Sequence, residues 1–303
     1  MSAAIAFAAN ARYGHGGQGE FLRLMTHALA STPQATVYSR FVPPGIGAAV
    51  NVPFAGSLRA RVFEAILATP VLRRRQDWLT LLSDVDFDTR VAGMITPPAL
   101  LDGVMAQCAT TFARVRPQGT KTVLTSLNTH VSHLARVMAA EYARVGAPGP
   151  SFLHPAMIRR ALREIDAADH IRVNSGLAKQ TFIDHGVAAD RISVIHPGVD
   201  LAHFHPVEKR DDVFRVLAIS SIDPRKGIHD LFEAFEAAKI PNAELVLIGG
   251  TGDRWSKALV DRYRQRLPRA VPIWRATASS SGRTSAPAAS GQAAMIRPET
   301  CSV

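Results

Sequence analysis

Two cations stand side by side in Asp223-Pro-Arg-Lys-Gly227. Before them lies a short apolar run, Phe214 to Ile219, the pattern of a strand buried on both faces. After them Ile228, Leu231, Phe232 and Phe235 recur at i, i+3, i+4 and i+7, which predicts an amphipathic helix. Arg225 and Lys226 would therefore lie at a helix N-terminus, where unpaired backbone N–H groups already favour an anion. A strand, a basic glycine-containing loop and a helix make a seat for phosphate. Leu245 to Ile248 reads as a second buried strand, closed by Gly249, Gly250 and Gly252.

Three further groups invite chemistry. Gly14, Gly16 and Gly19 match G-x-G-x-x-G between a strand candidate, Ala3 to Ala9, and a helix candidate, Glu20 to Ala30, with a stripe of Phe21, Leu24, Met25 and Ala28. The next strand, Ala35 to Tyr38, is followed by Ser39-Arg40 and no acid to hold a ribose, so a dinucleotide reading requires Arg40 to meet a 2′-phosphate, as in an NADP-dependent oxidoreductase. The other readings are a tight turn that lets helix and strand pack closely, or a glycine loop beside a substrate. Asp84, Asp86 and Asp88 form D-x-D-x-D, which suits a metal or a helix end and turn, with a strand over Thr89 to Ile95 beyond it. His130 follows the strand Val123 to Leu127, at the strand end where ligands of open α/β sheets sit; the alternative is a histidine that caps the next helix.

Positioning these groups takes alternating strands and helices. Further pieces are the helix Met157 to Ala168, the strand His170 to Val173, Ser175 as an N-cap, a helix stop at Gly186 and the strand Ile192 to Ile195. Pro43 to Pro53 reads as a mobile connection, and Ser57 to Leu82 as a basic helical stretch broken at Pro70. Such a stretch suits either peripheral contact with an anionic membrane or a surface helix that packs inward. The alternation argues for α/β architecture with parallel sheets: residues 1–200, a linker at 201–212, a second domain at 213–275, and a low-complexity tail at 276–303 that is expected to be disordered.

With 303 residues and 47% apolar composition the chain can bury two cores. The net charge of +10 points to acidic partners, but zinc-finger spacing, an RNA-recognition signature and basic-aromatic interleaving are all missing, which disfavours nucleic acid. Cys108 and Cys301 make no disulfide framework or metal pattern, and Met1 to Asn10 has no basic n-region, so a cytoplasmic location, with any membrane contact peripheral at its inner face, is the expectation.

Three ordered stretches resemble the retaining glycosyltransferases of family 4, which have the two-domain GT-B fold. They are Glu164-Ile-Asp-Ala-Ala-Asp-His-Ile-Arg-Val-Asn-Ser175; Gly186-Val with Arg191-Ile-Ser-Val-Ile-His-Pro-Gly-Val-Asp200 and Phe204-x-Pro206; and Asp223-Pro-Arg-Lys-Gly227 through Leu247-Ile-Gly-Gly250. The resemblance implies two Rossmann-like domains and transfer of a sugar from a nucleotide-diphosphate sugar, with retention, to a glycan or lipid-linked acceptor, as in polysaccharide biosynthesis. The donor is a substrate, and neither metal nor cofactor is implied. It further implies that Arg225 and Lys226 neutralise the leaving diphosphate in an interdomain cleft, that Gly16 and Gly17 close over it, and that Ser220, Ser221, Gly249 and Gly250 shape the donor side. His130 would lie near the acceptor. Ser220 and Ser221 replace the family's Gly-Arg, and no E-x7-E pair follows Gly252. The second domain is thus expected to be truncated, which leaves open a non-catalytic fragment that binds acceptor or membrane.

Overall fold

The structure is a computed structural model that describes residues 4–52, 76–149, 153–199, 201, 204, 206, 208–251, 253–267 and 273–274. The expectations for 57–75, for the tail 276–303 and for Gly252 lie outside the described residues. The chain divides into two compact units, Met1–Val137 with Pro150–Asp200, and Met138–Gly149 with Leu201–Val303.

The first unit is built on a seven-stranded parallel sheet of order β3-β2-β1-β4-β5-β6-β7. Its strands are β1 (Ile5–Arg12), β2 (Ala35–Phe41), β3 (Ala49–Asn51), β4 (Leu100–Val104), β5 (Lys121–Ser126), β6 (His170–Val173) and β7 (Ile192–Val194). The order runs outward from β1 to β3 on one side and from β4 to β7 on the other. Chain direction therefore switches between β1 and β4, the place where doubly wound sheets open a crevice at their C-terminal strand ends. Helices α1 (Gly16–Ala30), α2 (Gln76–Met94), α3 (Ala109–Val115), α4 (Val131–Arg144, whose residues from Met138 onward belong to the second unit), α5 (Pro155–Ala167) and α6 (Gly176–Ile183) follow in chain order. One core holds Phe87, Leu101, Phe112, Leu124, Ile171 and Phe182, all fully buried. A second gathers Phe7, Leu22, Val37 and Val104 beneath α1.

The second unit carries a three-stranded parallel sheet of order β10-β9-β8, from β8 (Phe214–Ile219), β9 (Ala243–Ile248) and β10 (Ile273–Trp274). Helices α7 (Ile228–Ala238) and α8 (Arg254–Arg266) belong to it. Phe232, Leu245, Leu247 and Tyr263 form its core, with the Phe232 and Tyr263 rings stacked at 4.4 Å.

Four expectations are corrected, and one strand, β4, goes unmarked in the sequence. The strand β8, expected to be buried on both faces, exposes Phe214, Leu217 and Ile219, at 50%, 50% and 70%. The stretch Thr89 to Ile95, expected to be a strand, is the C-terminal part of α2 as far as Met94, and the three acids before it sit inside that helix. The connection Pro43 to Pro53 contains β3, which pairs with β2 from Val37↔Ala49 to Ser39↔Asn51. The stripe of α1 turns on Leu22 and Thr26, with Ala28 exposed. Finally, β4 is a central strand that composition hides, since Asp102 and Gly103 are both disfavoured in strands. Asp102 is admitted there because Thr125 Oγ1 donates to it at 2.6 Å and Arg172 Nη2 lies 2.9 Å away.

Candidate functional site

In the second unit the chain leaves β8 through Ser220 and Ser221 and enters one turn of 3-10 helix, Pro224–Lys226. The Lys226 N–H donates to Asp223 O at 3.1 Å and the Gly227 N–H to Pro224 O at 3.0 Å. Gly227 then takes φ 64°, a left-handed conformation that glycine adopts without a Cβ penalty, and α7 starts on the next residue. Arg225 and Lys226 are exposed at that helix start. Arg225 Nε is 4.0 Å from Asp223 Oδ1, and Lys226 has no ion-pair partner among the described residues. Ser221 Oγ donates to Asp223 Oδ2, and Ser220 Oγ to Ser221 O at 3.1 Å. Gly249 lies against Ser220: a Cβ there would fall 1.8 Å from Ser220 O, whereas Gly250 has open space. Close approach of two strand ends thus requires Gly249.

Elsewhere in this unit Glu141, His229 and Asp230 converge as metal-ligand types. The guanidinium of Arg144 already occupies the middle of the set, 2.7 Å from Glu141 Oε1, 2.7 Å from His229 Nε2 and 2.8 Å from Asp230 Oδ1. Arg144 holds the Glu141 carboxyl down at about 2.

The first unit has a cavity of about 420 Å³ at the C-terminal ends of β1, β4 and β5. Among the described residues its polar lining includes Asn10, Gln18, Ser83, Asp84, Gln107 and Asn128, and Met105, Leu134 and Met157 are among its apolar ones. Asn10 is fixed on every side. Its Oδ1 accepts from Arg40 Nε at 2.7 Å, which turns its amide hydrogens to Ser83 Oγ at 3.0 Å and Asp84 Oδ1 at 2.6 Å. Its backbone N–H donates to Gln107 Oε1 at 2.7 Å, so the amide nitrogen of Gln107 faces away, 3.3 Å from Gln18 Oε1. Asp84 is 3% exposed, and burial pushes its carboxyl up to about 7 against the pull of Asn10.

The loop that presents Gln107 is held under strain. Ala106 has φ 72°, unusual for a residue with a Cβ. Two buried side chains of α5 enforce it: Glu164 accepts from Ala106 N and from Cys108 N (2.9 Å), while Arg160 Nε donates to Ala106 O at 2.8 Å. Burial raises Glu164 to about 7 despite those bonds. Arg160 also pairs with Asp88, whose oxygens accept from Thr110 N at 2.6 Å and Thr111 N at 2.9 Å at the start of α3.

Asp84, Asp86 and Asp88 are thereby divided among Asn10, the Arg40 and Arg90 pair, and the start of α3, which overturns the metal reading of D-x-D-x-D. The dinucleotide reading loses its phosphate partner as well. The Arg40 side chain is only 6% exposed, with bonds to Asn10, Val52 O (3.2 Å), Asp86 (2.9 Å) and Ser83 O (2.7 Å), and it lies over the Phe87 ring. The glycine loop is a tight turn: Gly14 N donates to Gly19 O at 3.0 Å, and a Cβ on Gly19 would fall 2.1 Å from Arg12 O. Gly16 and Gly17 face open space at the start of α1. His130 is 3% exposed, and its Nδ1 accepts from Ser132 N at 3.3 Å, a bond that caps α4. Its ring stacks on His185 at 4.2 Å, and burial depresses its pKa to about 4.

No family model matches the chain. It is 33% identical over 135 residues to the D-inositol 3-phosphate glycosyltransferase of Mycolicibacterium gilvum, across 40% of this chain and 28% of that protein. The protein of the same name from Mycobacterium bovis is 33% identical over 132 residues, 40% of this chain and 26% of its own length. Among solved structures, Anabaena HepE in complex with UDP-glucose aligns at TM-score 0.54 and 15% identity over 88% of this chain and 68% of that one. The lipopolysaccharide outer core galactosyltransferase WaaB aligns at 0.51 and 16% over 90% and 68%. Over about 40% of its length the chain is homologous to glycosyltransferases.

This homologue has the Rossmann-like parallel sheets of the GT-B fold. The matched stretch spans little more than a quarter of the curated relatives' length. Asn10 and Gln107 escape sequence reasoning because an isolated amide has no motif, and Asp84 is visible only as part of the acidic triplet. The available signal is positional: Asn10 is a polar residue near the C-terminal end of an otherwise apolar strand. Among the described residues no helix is long and apolar enough to cross a membrane.

Proposed function

We propose that this chain binds a nucleotide-diphosphate sugar through the second unit and directs its sugar to a hydroxyl of an acceptor held by the first, with retention at the anomeric carbon. One observation carries the reading: Arg225 and Lys226 stand exposed at the start of α7 with little internal neutralisation. As the bond from sugar to diphosphate breaks, negative charge grows on the leaving phosphate. Fixed cations and helix N–H groups stabilise that charge without reorganising, the contribution that dominates this kind of catalysis. Lys226 would be the principal phosphate partner, with Arg225 in place of the missing Gly-Arg arginine. Ser220, Ser221, Gly249 and Gly250 would shape the donor side, and Gly16 and Gly17 would offer backbone N–H groups to a phosphate. His130 enters as a positioning residue that fixes the start of α4 next to Asn128. The relatives named for UDP-glucose and for inositol 3-phosphate support a nucleotide-sugar donor and a polyol acceptor.

Incubation with UDP-, GDP- and ADP-sugars, followed by release of the nucleoside diphosphate and by anomeric NMR of the product, tests this. Release with retained configuration supports the reading, and absence of both binding and release contradicts it. A second reading, binding without transfer and with any membrane contact peripheral, is favoured by the open side of β8, where Leu217 is 50% and Ile219 70% exposed. It predicts nucleotide binding without turnover, and rapid proteolysis beyond about residue 207.

A further inference from the structure

Within the second unit, the end of α4 and the start of α7 bring three metal-ligand side chains together. Glu141 comes from α4, and His229 and Asp230 from the first turn of α7. One ligand-type atom of each lies within 4.8 Å of the other two. His229 is the buried member, its side chain 5% exposed, and Asp230 opens the set to solvent at 57%. The Trp255 ring packs edge-on against the His229 ring at 6.0 Å and fixes its plane. His229 Nε2 is 2.6 Å from Glu141 Oε1 and 3.4 Å from Asp230 Oδ2. Ligands on a tetrahedral ion with bonds of about 2.0 Å stand about 3.3 Å apart, so both carboxylates are already near coordinating range of that nitrogen.

Arg144 fills the middle of this set imperfectly. Its Nη2 lies 2.7 Å from His229 Nε2, and a guanidinium can only donate. Glu141 Oε1 lies 2.6 Å from the same nitrogen, and an ionised carboxylate can only accept. One imidazole nitrogen cannot accept from the first while it donates to the second, so one short contact is unsatisfied in either tautomer. His229 Nδ1 is buried without a hydrogen-bond partner among the described residues, so nothing on the far side of the ring selects a tautomer. Within the set, two carboxylates face one guanidinium and leave a negative charge over. The Arg144 side chain is 52% exposed, and its hydrogen bonds among the described residues all go to these three side chains. It can turn into water without breaking any other of them.

We propose that Glu141, His229 Nε2 and Asp230 bind a divalent transition cation of the zinc class, which displaces the Arg144 guanidinium. The ion takes the Nε2 lone pair and both carboxylates, so the conflict at that nitrogen disappears and the charge of the set is balanced. One imidazole and two carboxylates suit zinc, cobalt or nickel. Magnesium and calcium, which prefer oxygen ligands alone, should bind far more weakly. Water on the Asp230 side supplies the fourth ligand. The bound ion fastens α4 to α7, a structural role independent of the transferase reading.

Calorimetric titration of zinc chloride into the tag-free, chelator-treated full chain tests this, with cobalt chloride followed in parallel by its visible absorption. Zinc should bind in the micromolar range, and cobalt should give the intense bands of a four-coordinate site. The isosteric variants Glu141→Gln and Asp230→Asn should each weaken zinc at least about tenfold. Arg144→Gln, which removes the competing cation, should tighten it at least about fivefold. Zinc should also raise the thermal unfolding midpoint of the wild type and of Arg144→Gln, but not that of the double variant Glu141→Gln/Asp230→Asn. No zinc binding to wild type or Arg144→Gln at about 100 μM would overturn the proposal. So would zinc binding that the two acid substitutions leave unchanged, which places the ion elsewhere, or binding that Arg144→Gln does not tighten.

Discussion

Replacing Asp84 with Asn should make the protein more stable at alkaline pH and leave it nearly unchanged in acid. Asp84 is 3% exposed and is pushed from 3.8 to about 7 by burial, offset by Asn10, Arg160 and Arg40 and reinforced by Asp88. The folded state thus holds this proton through a window in which the unfolded chain has released it. Where the native state binds more protons, stability falls as pH rises, so the wild type should lose stability between about pH 4 and pH 7. Full linkage over about three units corresponds to about 4 kcal/mol, and access of one carboxyl oxygen to the cavity brings the expected loss to about 2 to 4 kcal/mol. Asparagine is isosteric, retains an oxygen for the Asn10 bond and has no charge to bury. Urea unfolding followed at Trp78, with Trp255 and Trp274 replaced by Phe, should give equal midpoints for wild type and Asp84→Asn near pH 4. At pH 8 the variant should be the more stable by that amount. Glu164, raised in the same direction, is present in both chains and cancels. Equal destabilisation at both pH values, or wild-type stability that climbs from pH 4 to pH 8, would refute the reasoning.

Gly249→Ala should cost about 3 kcal/mol or more in the second unit, since its Cβ would sit 1.8 Å from Ser220 O and backbone must move to admit it; limited proteolysis and loss of hydrogen-exchange protection in β8 and β9 measure this. Gly250→Ala, with open space around it, is the matched control and should change little. Ala106→Gly should be neutral or stabilising by up to about 1 kcal/mol despite its larger loss of chain entropy, because φ 72° penalises a Cβ. A clear loss of stability in the same unfolding assay would mean that the loop carries no such strain.

The stretch from Phe214 to Ile248 is legible in sequence because local pattern and tertiary demand agree. Ile228 and Phe232 are buried on the stripe that the helical spacing marks, and both flanking strands form where the short apolar runs stand; burial of β8 on both faces is not legible, since Leu217 and Ile219 are exposed. Ser175 is legible as a cap for the same reason, and its side chain accepts from Ala178 N at 3.1 Å. The strand β4 and the helix after Asp84 are not legible, because in each a long-range polar bond overrides local preference. Asp102 is tolerated in a strand by Thr125 and Arg172, and Asp84 and Asp88 in a helix by Asn10 and Thr111. The cavity is hidden for a related reason. Its geometry depends on Asn10 meeting Gln107 across 97 residues, and on Glu164 holding Ala106 in an unfavourable conformation from 58 residues away. Arg40 illustrates the opposite error, an exposed-looking cation that is spent inside.

The measurement that bears most directly on the central claim is calorimetric titration of UDP, GDP and ADP into the full chain, beside Lys226→Ala and Arg225→Ala variants. At least one nucleoside diphosphate should bind at millimolar concentration or below, with Lys226→Ala weakening it by roughly tenfold and Arg225→Ala by less, in proportion to the charge-assisted bonds removed. Binding that is indifferent to both substitutions, or absent for all three nucleotides, would contradict the account.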